Sequence, residues 1–211
     1  DGGAILDLDW FEYYDKTPKA FLEDMREFDK ERFNSMQVVL SWDMNYTVNT
    51  KNDSDYVGYV ATVYDPSTDS TYILDAWKKR LTFMQTLNAV IKEREKYEDY
   101  QLPIIILIEK KANGGPIIQV LDQKVAGIKP FEPGASNKVA RMESASPTVE
   151  SGHVLVPDDS LGLSWVTELV SDLVKFPYIT HDDIADAFSQ AIIHNHIMNI
   201  KKEREYNVFL F

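Results

Sequence analysis

Pro103-Ile104-Ile105-Ile106-Leu107-Ile108-Glu109 is the stretch on which the fold turns. Apolar residues follow one another from Ile104 to Ile108 with no polar alternation, the pattern of a strand covered on both faces. A proline opens the run and a carboxylate closes it. A second β-rich stretch, Val38-Val39-Leu40-Ser41-Trp42-Asp43, also ends on an acid. Between the two, Asp55 to Tyr64 and Thr71 to Trp77 read as strands joined by the turn Asp65-Pro66-Ser67. So short a connection predicts an antiparallel pair. A polar turn with Asn49, Lys51, Asn52 and Asp53 precedes them.

Helical spacing fills the intervals. Leu81, Met84, Leu87, Val90 and Ile91 mark a helix from Leu81 to Tyr97. Asn113-Gly114-Gly115-Pro116 turns into a second helix reaching about Val125. These glycines fit neither a dinucleotide fingerprint nor a phosphate loop and read as turn geometry. Residues 127–152 are rich in Gly, Pro, Ser and Asn, with Lys138 and Arg141 embedded. Val154 and Val156 alternate as a short strand ending at Pro157. Leu161 to Phe176 and Asp182 to about Lys201 read as amphipathic helices. Upstream, Trp10 to Tyr14 is aromatic, and Thr17 to Arg32 is charged with apolar residues at helical spacing. The order β-β-β-α-β-α predicts an α/β fold in which the first and fourth strands lie side by side and parallel. Residues 1–36 are a lead-in and residues 37–211 one domain.

Composition narrows the function. With 44% hydrophobic residues in 211, a single substantial core is expected. No cysteine is present, which excludes disulfides and thiolate metal sites; an intracellular setting fits. No apolar run approaches a membrane span, no basic-then-apolar leader is seen, and the Asp1-Gly2-Gly3 start reads as an excised fragment. The net charge of −12 has the wrong sign for gripping DNA by bulk electrostatics. A nucleic-acid enzyme of this charge would gather acids at a metal site and line a groove with its short basic clusters, such as Lys78-Lys79-Arg80, Lys110-Lys111, Lys138 with Arg141, and Lys201-Lys202.

The acids do gather. His181-Asp182-Asp183-Ile184-Ala185-Asp186-Ala187 puts three carboxylates at a helix start, and Asp182 and Asp183 share roughly one helical face with Asp186. Two readings are open. One is an ordinary helix start, with Thr180 as N-cap and Asp183 at the capping-box position. The other is a divalent-cation site, since hard cations take carboxylate oxygens. Asp43 and Glu109, ending parallel neighbours, would point out at one sheet edge, where α/β sheets place function. Carboxylates converging there suit two Mg²⁺ or Mn²⁺ ions roughly 4 Å apart, one activating water and one stabilising the leaving oxygen of a phosphodiester.

The order and local words of these segments resemble the nuclease domain of the large terminase subunit of tailed bacteriophages. The resemblance rests on Ser41-Trp42-Asp43; Asp55-Tyr56-Val57 through Tyr72-Ile73-Leu74-Asp75 to Lys79-Arg80; Ile108-Glu109 before Gly114; Lys138-x-x-Arg141 with Glu150-x-Gly152; and Phe176-Pro177 before His181-Asp182-Asp183-x-x-Asp186-Ala187. It implies an RNase H-like mixed β-sheet with helices on both faces over residues 37–211. Residues 1–36 become the lead-in from a packaging ATPase domain outside this sequence. The implied activity is two-metal endonuclease cleavage of concatemeric double-stranded DNA, with two Mg²⁺ or Mn²⁺ as cofactors. By position, Asp43, Glu109 and Asp183 are the catalytic acids, Asp182 and Asp186 further metal-binding acids, and His181 an auxiliary group. Lys79, Arg80, Lys138 and Arg141 are the expected DNA contacts. The implied partners are DNA, the ATPase domain, portal and small terminase subunit, with no membrane, in the host cell cytoplasm.

Three other readings compete. A docking module with vestigial acids would need no convergent charge. A Holliday-junction-resolvase-like nuclease shares the implied fold. An HD-type phosphohydrolase, suggested by His181-Asp182, needs further upstream histidines that His153 alone does not supply. His194 and His196, two apart on a helix, face different sides and are poor zinc ligands.

Overall fold

The computed structural model describes residues 4–45, 56–110, 114–132, 134 and 136–198. The expected polar turn at 49–53, Lys111, Asn113 and the helical reading beyond Met198, with Lys201-Lys202, lie outside the described residues.

Among the described residues seven strands form one mixed sheet. They are β1 (Glu12–Tyr14), β2 (Gln37–Met44), β3 (Val57–Asp65), β4 (Ser70–Lys79), β5 (Ile104–Glu109), β6 (Ile128–Phe131) and β7 (Val154–Pro157). Their spatial order is β1-β7-β4-β3-β2-β5-β6. The β3–β4 pair is antiparallel, as its short turn requires, and β2 runs antiparallel to β3 and parallel to β5. Ile106, Leu107 and Ile108 have no exposed surface, because β5 is flanked by β2 and β6 and covered on both faces.

Among the described residues seven α-helices surround the sheet: α1 (Pro18–Phe28), α2 (Lys30–Ser35), α3 (Phe83–Glu98), α4 (Gly114–Leu121), α5 (Lys138–Glu150), α6 (Ser164–Lys175) and α7 (Asp183–Ile192). The strand period of two sorts side chains between the faces. Leu40, Trp42, Tyr59 and Ala61 join Phe21, Phe33, Leu87, Val90 and Ile117 of α1 to α4 on one face. Val60, Ile73 and Ala76 join Met142, Ala145, Leu169, Leu173, Ile184 and Phe188 of α5 to α7 on the other. Burying each such large side chain contributes about 1.5–3 kcal/mol, which holds the three layers together. Among the described residues no helix is long and apolar enough to cross a membrane.

Three features go beyond what the sequence announces. The segment from Thr17 to Arg32 is two helices, broken at Asp29, which caps α2 by accepting from Arg32 N–H at 3.3 Å. The lead-in joins the same sheet, since β1 pairs with β7 and Leu6 and Phe11 are core residues. Residues 127–152 carry elements that their composition does not announce. They hold β6 and α5, and α5 starts where Asn137 Oδ1 accepts from Ala140 N–H at 2.8 Å. Met142, Ala145 and Val149 recur at helical spacing and are buried, whereas the turn-forming composition, Pro147 included, disguises the helix.

Candidate active site

Asp43 and Glu109 reach the same place by strand geometry. Trp42 pairs with Ile108 in the parallel β2–β5 ladder, so the acids that follow end neighbouring strands side by side. Trp42 and Ile108 point into the α1–α4 face, which turns the next residues toward α7. Ser41, on that same side, donates through Oγ to the Ala187 carbonyl at 2.7 Å. Gln190 Nε2 in turn donates to Ser41 Oγ (2.9 Å), the Leu107 carbonyl (3.2 Å) and the Trp42 carbonyl (3.3 Å). This buried polar staple ties α7 to both acid-bearing strands.

The first turn of α7 comes close because of Gly58. Gly58 stands opposite Asp43 in the β2–β3 ladder, and a Cβ there would sit 2.2 Å from the Asp183 carbonyl oxygen. Both partners are backbone, so neither can move aside. Gly58→Val is therefore expected to push α7 off the sheet, costing about 2–3 kcal/mol or more of stability. Any cleavage activity that depends on Asp183 beside Asp43 should go with it. Thermal melting and a cleavage assay check this, and an unchanged melting temperature would contradict the contact.

Around these elements lies a cavity of about 300 Å³, lined by Asp43, Met44, Asn45, Glu109, Ser136, Asn137, Lys138, Arg141 and Asp186. Asn45 bridges two acids, donating through Nδ2 to Asp183 Oδ1 (3.2 Å) and Asp43 Oδ2 (3.3 Å). The bases of α5 take the others. Lys138 Nζ is 2.7 Å from Asp182 and 2.5 Å from Asp186, and Arg141 is 2.6 Å from Asp186 and 3.6 Å from Glu109. Three of the five carboxylates thus share two cationic side chains, and the other two share one amide.

The ordinary helix-start reading does not hold. The N-cap of α7 is Asp182, which makes no side-chain capping bond, and the Asp183 carboxylate turns to Asn45. Arg141, expected as a DNA contact, is 5% exposed, and its charge faces Asp186. Lys138 stays half-exposed but is paired. Lys79 and Arg80 are exposed at the same sheet edge, resting on the rings of Trp77 and Tyr56. His181 packs on Tyr56, ring centres 4.6 Å apart, and is not among the residues lining the cavity. His153 and His196 lie elsewhere, around Asp69 at the β3–β4 turn, which removes the HD-type constellation.

Burial, reinforced by the charges of Asp186 and Asp183, pushes the Asp43 carboxyl well above the usual carboxylate range, although Lys138 pulls it back. Burial also raises Asp183, offset in part by the Asn45 amide. Burial by itself would lower the Lys138 ammonium; Asp186 and Asp182 raise it instead. Crowded, desolvated carboxylates are the donor set of a hard divalent cation. Among the described residues no three of them already stand at ligating positions around one point.

The raised Asp43 carboxyl has a pH signature. With its folded pKa raised, Asp43 contributes stability that is complete below its ordinary value and lost as pH rises through the folded one. His196, lowered mainly by burial, acts with the opposite sign. Comparison of wild type with Asp43→Asn isolates the acid. The variant should melt higher at neutral pH, and the gap should close on acidification toward the ordinary range. A gap that widens on acidification would show the sign to be reversed.

Residues 40–195 match the terminase RNase H-like domain family. The chain belongs to this family. No curated protein matches it. Among solved structures, the large terminase nuclease of thermophilic phage G20c with bound magnesium superposes with a TM-score of 0.57 at 16% identity, over 91% of this chain and 97% of that one. The phage P22 large terminase nuclease domain gives 0.51 at 14%, over 76% and 82%. The human cytomegalovirus terminase nuclease domain, manganese-soaked and inhibitor-bound, gives 0.55 at 13%, over 89% and 97%. These likenesses establish the fold, an RNase H-like mixed sheet. Within this terminase domain, Asn45, Gly58 and Gln190 are the positions that sequence reasoning missed. Only the spacing of Asn45 two residues after Asp43 offered a signal.

Proposed function

We propose that this domain is the endonuclease of a viral DNA-packaging terminase, cutting double-stranded DNA through two divalent cations, Mg²⁺ or Mn²⁺. The observation that carries the reading is the buried Asp43 carboxylate, crowded by Asp183, Asp186 and Glu109 at the carboxyl ends of parallel strands. Asp43, Glu109 and Asp183 would hold the cations, with Asp182 and Asp186 alongside. Bound there, divalent cations supply an activated water and charge stabilisation at the phosphorus and leaving oxygen. The protein orients the acids: Asn45 sets Asp43 against Asp183, and the Ser41–Gln190 staple sets α7 against both strands. Lys79 and Arg80 would meet backbone phosphates, which position a duplex without reading its sequence. The proposed setting is the host cytoplasm, beside the packaging ATPase domain, portal and small terminase subunit.

Plasmid nicking tests the activity. Mn²⁺ should support at least as much cleavage as Mg²⁺, and Ca²⁺ should bind without turnover because its looser coordination positions reactants poorly. Robust cleavage in excess chelator would exclude this mechanism. Metal binding without nicking of any duplex would favour a docking module.

A further inference from the structure

We infer that Lys138 is a built-in counterion that holds the acidic site in its metal-free form and must be displaced when a divalent cation enters. The inference rests on the cation-binding reading above. Lys138 begins α5 and spans two carboxylates of different reach, Asp182 Oδ1 at 2.7 Å and Asp186 Oδ2 at 2.5 Å. One turn on, Arg141 holds Asp186 from the other side. The two bases differ in freedom. The Arg141 side chain is 5% exposed and paired with both Asp186 and Glu109, so it is a fixed strut. The Lys138 side chain is 44% exposed, on a flexible stem that can swing its ammonium into water. Its charge also sits where a cation would draw the acids together, beside carboxylates not yet at ligating positions. Lys138 and the metal therefore compete for Asp182 and Asp186.

Competition predicts a direction that a merely structural lysine would not give. Calorimetric titration of the whole chain with Mn²⁺ should show Lys138→Met binding about tenfold tighter than wild type, the scale of a unit charge removed from beside a divalent ion at a partly exposed site. Lys138→Arg, which keeps the charge, should bind near the wild-type affinity. Metal-free Lys138→Met should melt below wild type, and saturating Mn²⁺ should close that gap. Should the methionine variant fail to fold, Lys138→Gln carries the same expectation. Equal or weaker Mn²⁺ binding by the neutral variant overturns the counterion role and leaves the cation reading standing. No Mn²⁺ binding by wild type or any variant overturns the cation reading and this inference with it.

Discussion

Asp43→Ala is expected to abolish metal-dependent plasmid nicking while the metal-free fold melts at or above the wild-type temperature. The two halves of this result have one cause. Asp43 is nearly buried, and its charge is opposed by Asp186, Asp183 and Glu109 with only Lys138 in its favour. Such a group is costly when ionised and empty-handed, so its removal relieves repulsion. Its amide contact from Asn45 is long, 3.3 Å, and little is lost with it. A residue kept for packing would behave the other way, destabilising on truncation and sparing activity. Nicking assays and melting curves on one preparation separate the cases, and normal cleavage by the variant would remove Asp43 from the site.

The second large effect distinguishes the acids of α7. Asp183→Asn should lower cleavage by orders of magnitude and leave metal-free stability unchanged or raised. Asp183 takes the Asn45 amide and, among the described residues, forms no ion pair, so its charge stays available to a cation. Asp186 differs, because Arg141 takes one of its oxygens and Lys138 the other. Asp186→Asn takes from a buried guanidinium its nearer counter-charge, leaving Glu109 at 3.6 Å, and should cost about 3–5 kcal/mol, the usual result of breaking a buried pair from one side. Melting temperature thus ranks the two substitutions in one order and catalysis per folded molecule in the other. A fully active Asp183→Asn beside a stable but inactive Asp186→Asn would move the essential ligand one turn along the helix.

Much of this architecture is legible in the amino-acid order alone. Ile104 to Ile108 announce a doubly covered strand, and Asp65-Pro66-Ser67 announces the hairpin, because strand burial and tight turns act on neighbours in sequence. Asp43 and Glu109 stand out for the same reason: each ends a run whose period is local. Residues 127–152 mislead by composition, since Gly, Pro, Ser and Asn outweigh the Met142–Ala145–Val149 stripe. Asn45, Gly58 and Gln190 escape differently. A glycine in a strand says nothing until the helix carbonyl that lies against it is known, and Gln190 looks like any helical glutamine until three acceptors from β2 and β5 surround it. Their meaning resides in partners far away in the chain, and no local pattern carries it.

Gln190 also governs residues it does not touch. Asp186 and Asp183 lie four and seven residues before it, along one stripe of α7. A helix advances about 1.5 Å and turns about 100° per residue, so anchoring one position of the stripe sets the height and azimuth of the rest. The staple therefore works like the index pin of a lathe, holding a tool true at a distance from the cut. Precision at the acids is made a full turn away, in a place no substrate touches, and changes in the loops around the cavity can alter what enters without disturbing the alignment of what waits there.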